Sequence, residues 1–177
     1  ENAGVVAYGW SYEPARDLDE GRAAAHDAVQ IDEKNPYAHY ALAIVGNYAD
    51  DFSLALRSAE KAVELSPCFA LGHLVHGMAT LFSGDTDGAA PLLQHGLRLN
   101  RYDPQNFVWY TVWALALLLG GKAEDSLQCA TAALKVRPTW RAAMHVAAAA
   151  NAALGCSAAA AAWLQQRSRT PALSADA

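Results

Sequence analysis

A repeat of about 34 residues runs along this 177-residue sequence and constrains its fold more than any other feature. Four similar segments each hold a small residue followed by an aliphatic, a polar and a second aliphatic residue. Successive small residues are separated by 34, 34 and 37 positions, so an insertion of three residues is expected near 101–106. A period of this length predicts one supersecondary unit copied along the chain. The small residues are Ala28, Ala62, Gly96 and Ala133.

Each period contains two stretches whose apolar residues recur at helical spacing, most clearly 37–49 and 52–65. The breaks between the two stretches hold Asp50-Asp51 or a glycine, and glycine accepts the left-handed backbone that ends many helices. A capping side chain followed by proline, a favoured helix start, occurs between units. The sequence therefore predicts helix, tight turn, helix and short connection, repeated. The glycines are Gly84, Gly121 and Gly155, and the cap-proline pairs begin at Asn35, Ser66 and Asp103.

Small residues also recur at fixed positions inside the predicted helices, in a chain that contains 40 alanines. Small side chains let two antiparallel helices approach closely while larger neighbours fill the space beside them. We therefore expect pairs of closely packed helices. The small residues are Ala43, Gly77, Ala114 and Ala148 in the first helices, and Ala55, Ala89, Ser126 and Ala160 in the second helices.

In its period, its small-residue positions and a proline near the end of each repeat, the sequence resembles a tetratricopeptide repeat (TPR) array. The resemblance implies an all-α fold, a right-handed superhelix of antiparallel helix pairs. It implies one array over 1–168, with a loosely ordered tail at 169–177. Its units are 1–35 (partial), 36–69, 70–103, 104–140 and 141–168. The sequence departs from the usual Trp and Leu positions of the family, which read His39, His73, Tyr110 and Met144, and Leu42, His76, Trp113 and Ala147.

A narrower resemblance concerns segments 9–32, 35–43, 97–107 and 115–138. These segments are similar to the C-terminal repeat regions of bacterial class III adenylate cyclase-like proteins and of winged-helix transcriptional regulators. The sequence itself holds no cyclase or winged-helix motif. This resemblance implies the regulatory arm of a larger bacterial signalling or transcription protein. The chain begins at Glu1 without Met, which is consistent with a fragment or a processed product.

By the TPR resemblance, the first helix of each unit lines a concave groove, and most of its expected lining is apolar or aromatic. Such a groove suits an apolar peptide, an amphipathic helix or another domain of the same polypeptide. A ring of Lys and Arg that would hold a terminal carboxylate is missing. The alternative is that these residues form the core. The expected groove residues are Tyr37, Tyr40, Ile44, Asn47, Tyr48, Leu71, Leu74, Met78, Leu81, Phe82, Val108, Thr111, Leu115 and His145.

Two other functions remain open at this stage. The apolar faces of Leu71, Leu74, Phe82 and Trp109 could meet in a homodimer. His73 and His76 lie three residues apart on one helical face, a spacing that can bind a metal or small ligand. Packed neutral imidazoles are the expected interpretation of this pair, because both positions are structural in TPR repeats.

Composition and motifs indicate a non-enzymatic protein without a cofactor. No GxSxG, HExxH, P-loop or GxGxxG motif occurs. The net charge of −5 argues against a nucleic-acid partner, which needs a basic face. The longest strongly apolar run, 107–119, is too short to span a bilayer, so no membrane partner is expected. Cys68, Cys129 and Cys156 form no CxxC pair, which favours free thiols and a cytoplasmic protein.

Overall fold

A computed structural model describes residues 13–170, which form nine α-helices and no β-strand. The fold of this part of the chain is therefore an all-α helical repeat, as the sequence predicts. The first twelve residues of the partial unit 1–35 and residues 171–177 of the tail expected at 169–177 lie outside the described residues, whereas Arg169 ends the last helix. The helices are α1 (Pro14–Ile31), α2 (Pro36–Tyr48), α3 (Phe52–Leu65), α4 (Ala70–Phe82), α5 (Thr86–Leu99), α6 (Asn106–Leu119), α7 (Ala123–Val136), α8 (Arg141–Ala153) and α9 (Ser157–Arg169).

The turns inside the helix pairs share one geometry that recurs with the period of the sequence. Each contains one residue at positive φ: Asp50 at 55°, Gly84 at 101°, Gly121 at 77° and Gly155 at 77°. In each turn the next N–H donates to the carbonyl five residues earlier, as Lys122 does to Leu117 at 2.8 Å. This bond satisfies a carbonyl that the end of the helix leaves without a partner. The expected left-handed glycine turns are confirmed.

The connections between pairs correct part of the helix-start prediction. Asn35 caps α2 as expected, its side chain accepting from the Tyr37 N–H at 2.9 Å. Ser66 instead ends α3, and Phe69 becomes the N-cap residue of α4. The reason is a turn in which the Phe69 N–H donates to the Ser66 carbonyl at 2.9 Å and delays the helix. Asp103 makes the same kind of turn before α6, so neither Pro67 nor Pro104 begins a helix.

The described residues divide into two compact units, one reaching Asp85 and the other beginning at Thr86. In the first unit, α1 to α4 pack in chain order and α2 also contacts α4. In the second unit, α5 to α9 pack in chain order and α6 also contacts α8. Each unit is thus a short array of antiparallel helix pairs in which contacts stay between neighbours. The single array over 1–168 and its unit boundaries remain a prediction.

The small residues occupy the places where paired helices come closest. All eight small residues that the sequence assigns to the insides of helices are buried. Between α6 and α7, the Ser126 hydroxyl donates to the Ala114 carbonyl at 2.8 Å. Between α2 and α3, a Cβ placed on Gly46 would lie 2.9 Å from the Ala55 nitrogen. The helix backbones therefore approach to a distance that only small side chains allow.

We predict that Gly121→Ala lowers the free energy of unfolding by about 1 kcal/mol, because a Cβ disfavours the left-handed backbone at φ 77°. Nothing lies within 4 Å of the added Cβ, so the loss reports backbone conformation alone. Urea denaturation measures the change. Asp50→Gly is the matched control, since it keeps this backbone allowed, and it should alter the stability by less than Gly121→Ala. Equal losses in both variants would contradict the assignment.

Candidate functional site

The expected groove residues separate into two groups according to their burial. Nine remain at least partly accessible, and Tyr37 and Phe82 are the most exposed of the large apolar ones. The other five have less than a tenth of their surface exposed, so in this conformation they belong to the packing of the units. The accessible residues are Tyr37, Tyr40, Ile44, Tyr48, Leu71, Phe82, Val108, Leu115 and His145. The buried residues are Asn47, Leu74, Met78, Leu81 and Thr111.

In the first unit, accessible aromatic and aliphatic side chains lie along α2 and α4. Phe69, just before α4, packs against Tyr37 and Tyr40, with ring centroids 4.6 Å and 5.9 Å apart. The tilted and edge-on ring geometries are those that aromatic pairs favour. At the other end of α4, Phe82 packs against Phe52 at 6.2 Å. We call this set the first-unit surface, and its members are Tyr37, Tyr40, Ile44, Tyr48, Leu71 and Phe82.

Trp140 in the second unit occupies the same repeat position as Phe69, one 34-residue and one 37-residue period further along. It packs edge-on against Phe107 at 4.9 Å, and its indole N–H donates to the Thr111 hydroxyl at 3.1 Å. Trp140 therefore covers Thr111, which explains why this expected groove residue is buried. In both units an aromatic residue stands just before the first helix of one repeat and packs against the first helix of the repeat before it. The sequence contained this signal in the shared position of the two aromatic residues.

His73 and its repeat equivalent His39 bind the connections that precede their helices. The His73 Nε2 lies 2.8 Å from the Pro67 carbonyl, and the His39 Nε2 lies 2.8 Å from the Glu33 carbonyl. A carbonyl oxygen only accepts, so both ring nitrogens carry hydrogen and donate. Each imidazole thereby fixes the connection that precedes its helix. No group of three potential metal ligands occurs within residues 13–170.

We predict that His76 makes folding less stable in acid. Burial holds the pKa of this imidazole below 6.5, and the charge of Glu60 opposes the shift. The unfolded chain therefore takes up this proton first, so the contribution of His76 is complete above pH 6.5 and is lost as the pH falls. His76→Gln should reduce the fall in unfolding free energy between pH 7.5 and pH 5, measured by urea denaturation. An unchanged pH dependence would show that His76 plays no such part.

The second unit contains an open cleft of about 410 Å³ among α5, α6 and α7. Its lining mixes apolar groups such as Trp113 with the charged Lys122 and Asp125. The thiol of Cys129 also lines it, and burial, together with the negative charge of Asp125, raises the pKa of this thiol to about 11. The thiol is therefore protonated at neutral pH and is a poor nucleophile.

Known proteins resemble this chain in fold and only weakly in sequence. No protein-family model matches the sequence, and no curated protein matches it. A thermophilic TPR protein in Thermus thermophilus superposes with a TM-score of 0.76 and 17% identity, over 96% of this chain and 87% of that one. YrrB, described as a TPR protein with an unusual peptide-binding site, gives 0.67 and 18%, over 95% and 82%.

MamA (residues 41 to the end) from Desulfovibrio magneticus RS-1 gives a TM-score of 0.72 at 15% identity, over 96% of this chain and 95% of that chain. At these identities the likeness shows the fold alone. The chain therefore has an all-α helical-repeat fold like that of these TPR proteins. Among the described residues, no helix has both the length and the apolar character needed to cross a bilayer.

Proposed function

We propose that this chain is a non-catalytic scaffold that binds an apolar peptide or an amphipathic helix of another protein segment. The observation that carries the proposal is the first-unit surface. Tyr37 keeps 61% of its surface exposed and Phe82 keeps 38%, although both are large and largely apolar. Covering such side chains is favourable, and aromatic side chains often dominate the energetics of an interface.

The arrangement of the first-unit surface favours a helical or extended peptide with spaced apolar residues. Tyr37, Tyr40, Ile44 and Tyr48 recur at intervals of three or four along α2, so they form a stripe along the helix. Phe69 supports the rings of Tyr37 and Tyr40 and limits their motion. Side chains that are already held lose less entropy when a ligand binds. An amphipathic helix with apolar residues at matching spacing would fit this stripe.

The peptide-binding site of YrrB supports a protein partner in general terms. The same fold holds that site in YrrB, and we transfer only the class of ligand. The regulatory arm of a bacterial signalling or transcription protein, located in the cytoplasm, remains the finer form of the proposal. Its partner would then be another domain of the same polypeptide. The rest of the reading frame tests this form, since an adjoining cyclase or DNA-binding domain would support it.

The rival homodimer through Leu71, Leu74, Phe82 and Trp109 is less well supported. Leu74 is fully buried and Trp109 is 5% exposed, so neither can meet a second copy without local unfolding. Leu71 and Phe82 alone would present a small contact area. A metal or small-ligand function at His73 and His76 is also weaker, because His73 donates to the Pro67 carbonyl.

A peptide selection followed by binding measurements tests the proposed function. Displayed peptides of about 16 residues, long enough for four helical turns, are selected on the immobilised protein. They should be enriched in apolar residues at intervals of three and four. The best peptide, carrying a fluorescent label, is then titrated with the protein. Tyr37→Ala with Phe82→Ala should weaken its binding at least tenfold, because two aromatic contacts are removed.

The matched control is Leu99→Ala with Tyr102→Ala, which removes two exposed apolar side chains of the second unit. This control should bind the peptide as the parent chain does, and circular dichroism should show equal helix content in all three proteins. Selection without apolar enrichment, or an equal loss of binding in both double variants, would refute the first-unit surface as the site.

A further inference from the structure

Charge is distributed very unevenly along this sequence. Residues 126–170 contain no Asp or Glu but hold Lys135 and four arginines, a net charge of +5. Residues 13–33 contain seven Asp or Glu and two Arg, a net charge of −5. The positive stretch, 126–170, lies in the second unit, and the negative stretch, 13–33, lies in the first unit. A chain that carries opposite net charges of this size in two separate stretches is suited to association with copies of itself.

The positive surface has a defined centre on α8 and α9. Arg141 and His145 lie one helical turn apart on α8, and Arg167 comes from α9, which packs against α8. The pKa of His145 is lowered first by partial burial and then by the charges of Arg167 and Arg141. Arg141 is the first residue of α8, where the helix dipole disfavours a cation. Local helix electrostatics therefore do not account for this arginine.

In each of the two arginines of this cluster, one guanidinium nitrogen has no hydrogen-bond partner among residues 13–170. The Nε atoms of Arg141 and Arg167 are buried and make no hydrogen bond with any residue of the described range. The ion pairs of Arg16 and Lys61 lie in the first unit, and no carboxylate of residues 13–170 forms an ion pair with Arg141 or Arg167. A guanidinium binds a carboxylate in two-pronged geometry, and each such bond is stronger than a neutral one. The cluster is chemically matched to carboxylates.

The repeat shows where a following unit would pack. Arg141 and His145 occupy the positions that Phe107 and Thr111 hold one 34-residue period earlier. Trp140, which stands just before α8, covers Phe107 and Thr111. On α8 no described residue takes the part of Trp140, and His145 is exposed. The last first helix of the second unit, α8, thus keeps an uncovered stacking surface on which the cationic Arg141 takes the place of the apolar Phe107.

The acidic stretch offers exposed carboxylates to match. Asp19 and Asp27 lie on the exposed side of α1, two turns apart, and both are exposed. Glu13 and Glu20 contact Arg16, and both carboxylates are at least half exposed. These side chains remain accessible to a second molecule along the whole of α1.

We propose that this chain associates with itself head to tail, with carboxylates of residues 13–33 of one copy binding Arg141 and Arg167 of the next. Such an interface joins two different surfaces, so each copy keeps one unused surface and the assembly can grow. It uses side chains of α1, α8 and α9, whereas the first-unit surface lies on α2 and α4. Because the contact is ionic and close to solvent, salt weakens it.

Complementary charge reversals test the proposal in sedimentation velocity experiments at low salt. Variant one carries R141E and R167E, and variant two carries D19K and D27K. The parent chain should form larger species as concentration rises and should return to the monomer at about 0.5 M salt, where charges are strongly screened. Each variant alone should associate at least tenfold more weakly than the parent chain. An equimolar mixture should recover association, because the acidic surface of variant one meets the basic surface of variant two and the two reversed surfaces are also complementary to each other.

The control is R98E with K122E, which makes the same charge change outside the cluster and should associate nearly as the parent chain does. R141Q with R167Q is a milder variant if the reversal disturbs folding, and circular dichroism checks each protein. A parent chain that stays monomeric at every concentration overturns the proposal. Undiminished association of variant one, or an equal loss in the control, does the same, because either result places the contact elsewhere.

Discussion

The close approach of paired helices is the constraint on which the rest of the structure depends. Buried alanines, glycines and one serine recur where the two helices of a pair meet, and the Ser126 hydroxyl bridges directly to the Ala114 carbonyl at 2.8 Å. Packing at this distance buries backbone and small side chains together, so shape complementarity contributes as much as large apolar residues. A pair held in this way still has one open face, which the neighbouring pair covers.

A second device joins one pair to the next. Phe69 and Trp140 each stand just before a first helix and rest on the preceding first helix. Each of these two aromatic residues therefore stands at the start of one helix and fixes the distance between that helix and the preceding first helix. Where the following aromatic residue is present, the covered positions belong to the core, as Thr111 does. Where no described residue supplies it, as at His145, the equivalent side chain is exposed.

The period and the turns could be predicted from the sequence because they rest on local chemistry. Glycine at a left-handed turn and a small residue at a close contact are requirements that no other residue type meets as well. Helix starts are less predictable, because Ser66 and Asp103 can cap a helix or close a turn, and the choice depends on the residues that follow. Burial is the least predictable feature, since Leu74 and Tyr40 occupy equivalent positions yet only Tyr40 is accessible. Side-chain type alone does not reveal what covers a position.

One comparison of stability tests most directly whether the small residues set the distance between helices. Ala55 is fully buried between α2 and α3, whereas Ala162 is an exposed alanine of α9. Leucine at position 55 should lower the free energy of unfolding by about 2 kcal/mol, because it forces the pair apart. Leucine at position 162 should change it by less than about 0.5 kcal/mol. Equal effects of Ala55→Leu and Ala162→Leu in urea denaturation would contradict the account, since the helices would then tolerate a larger spacing.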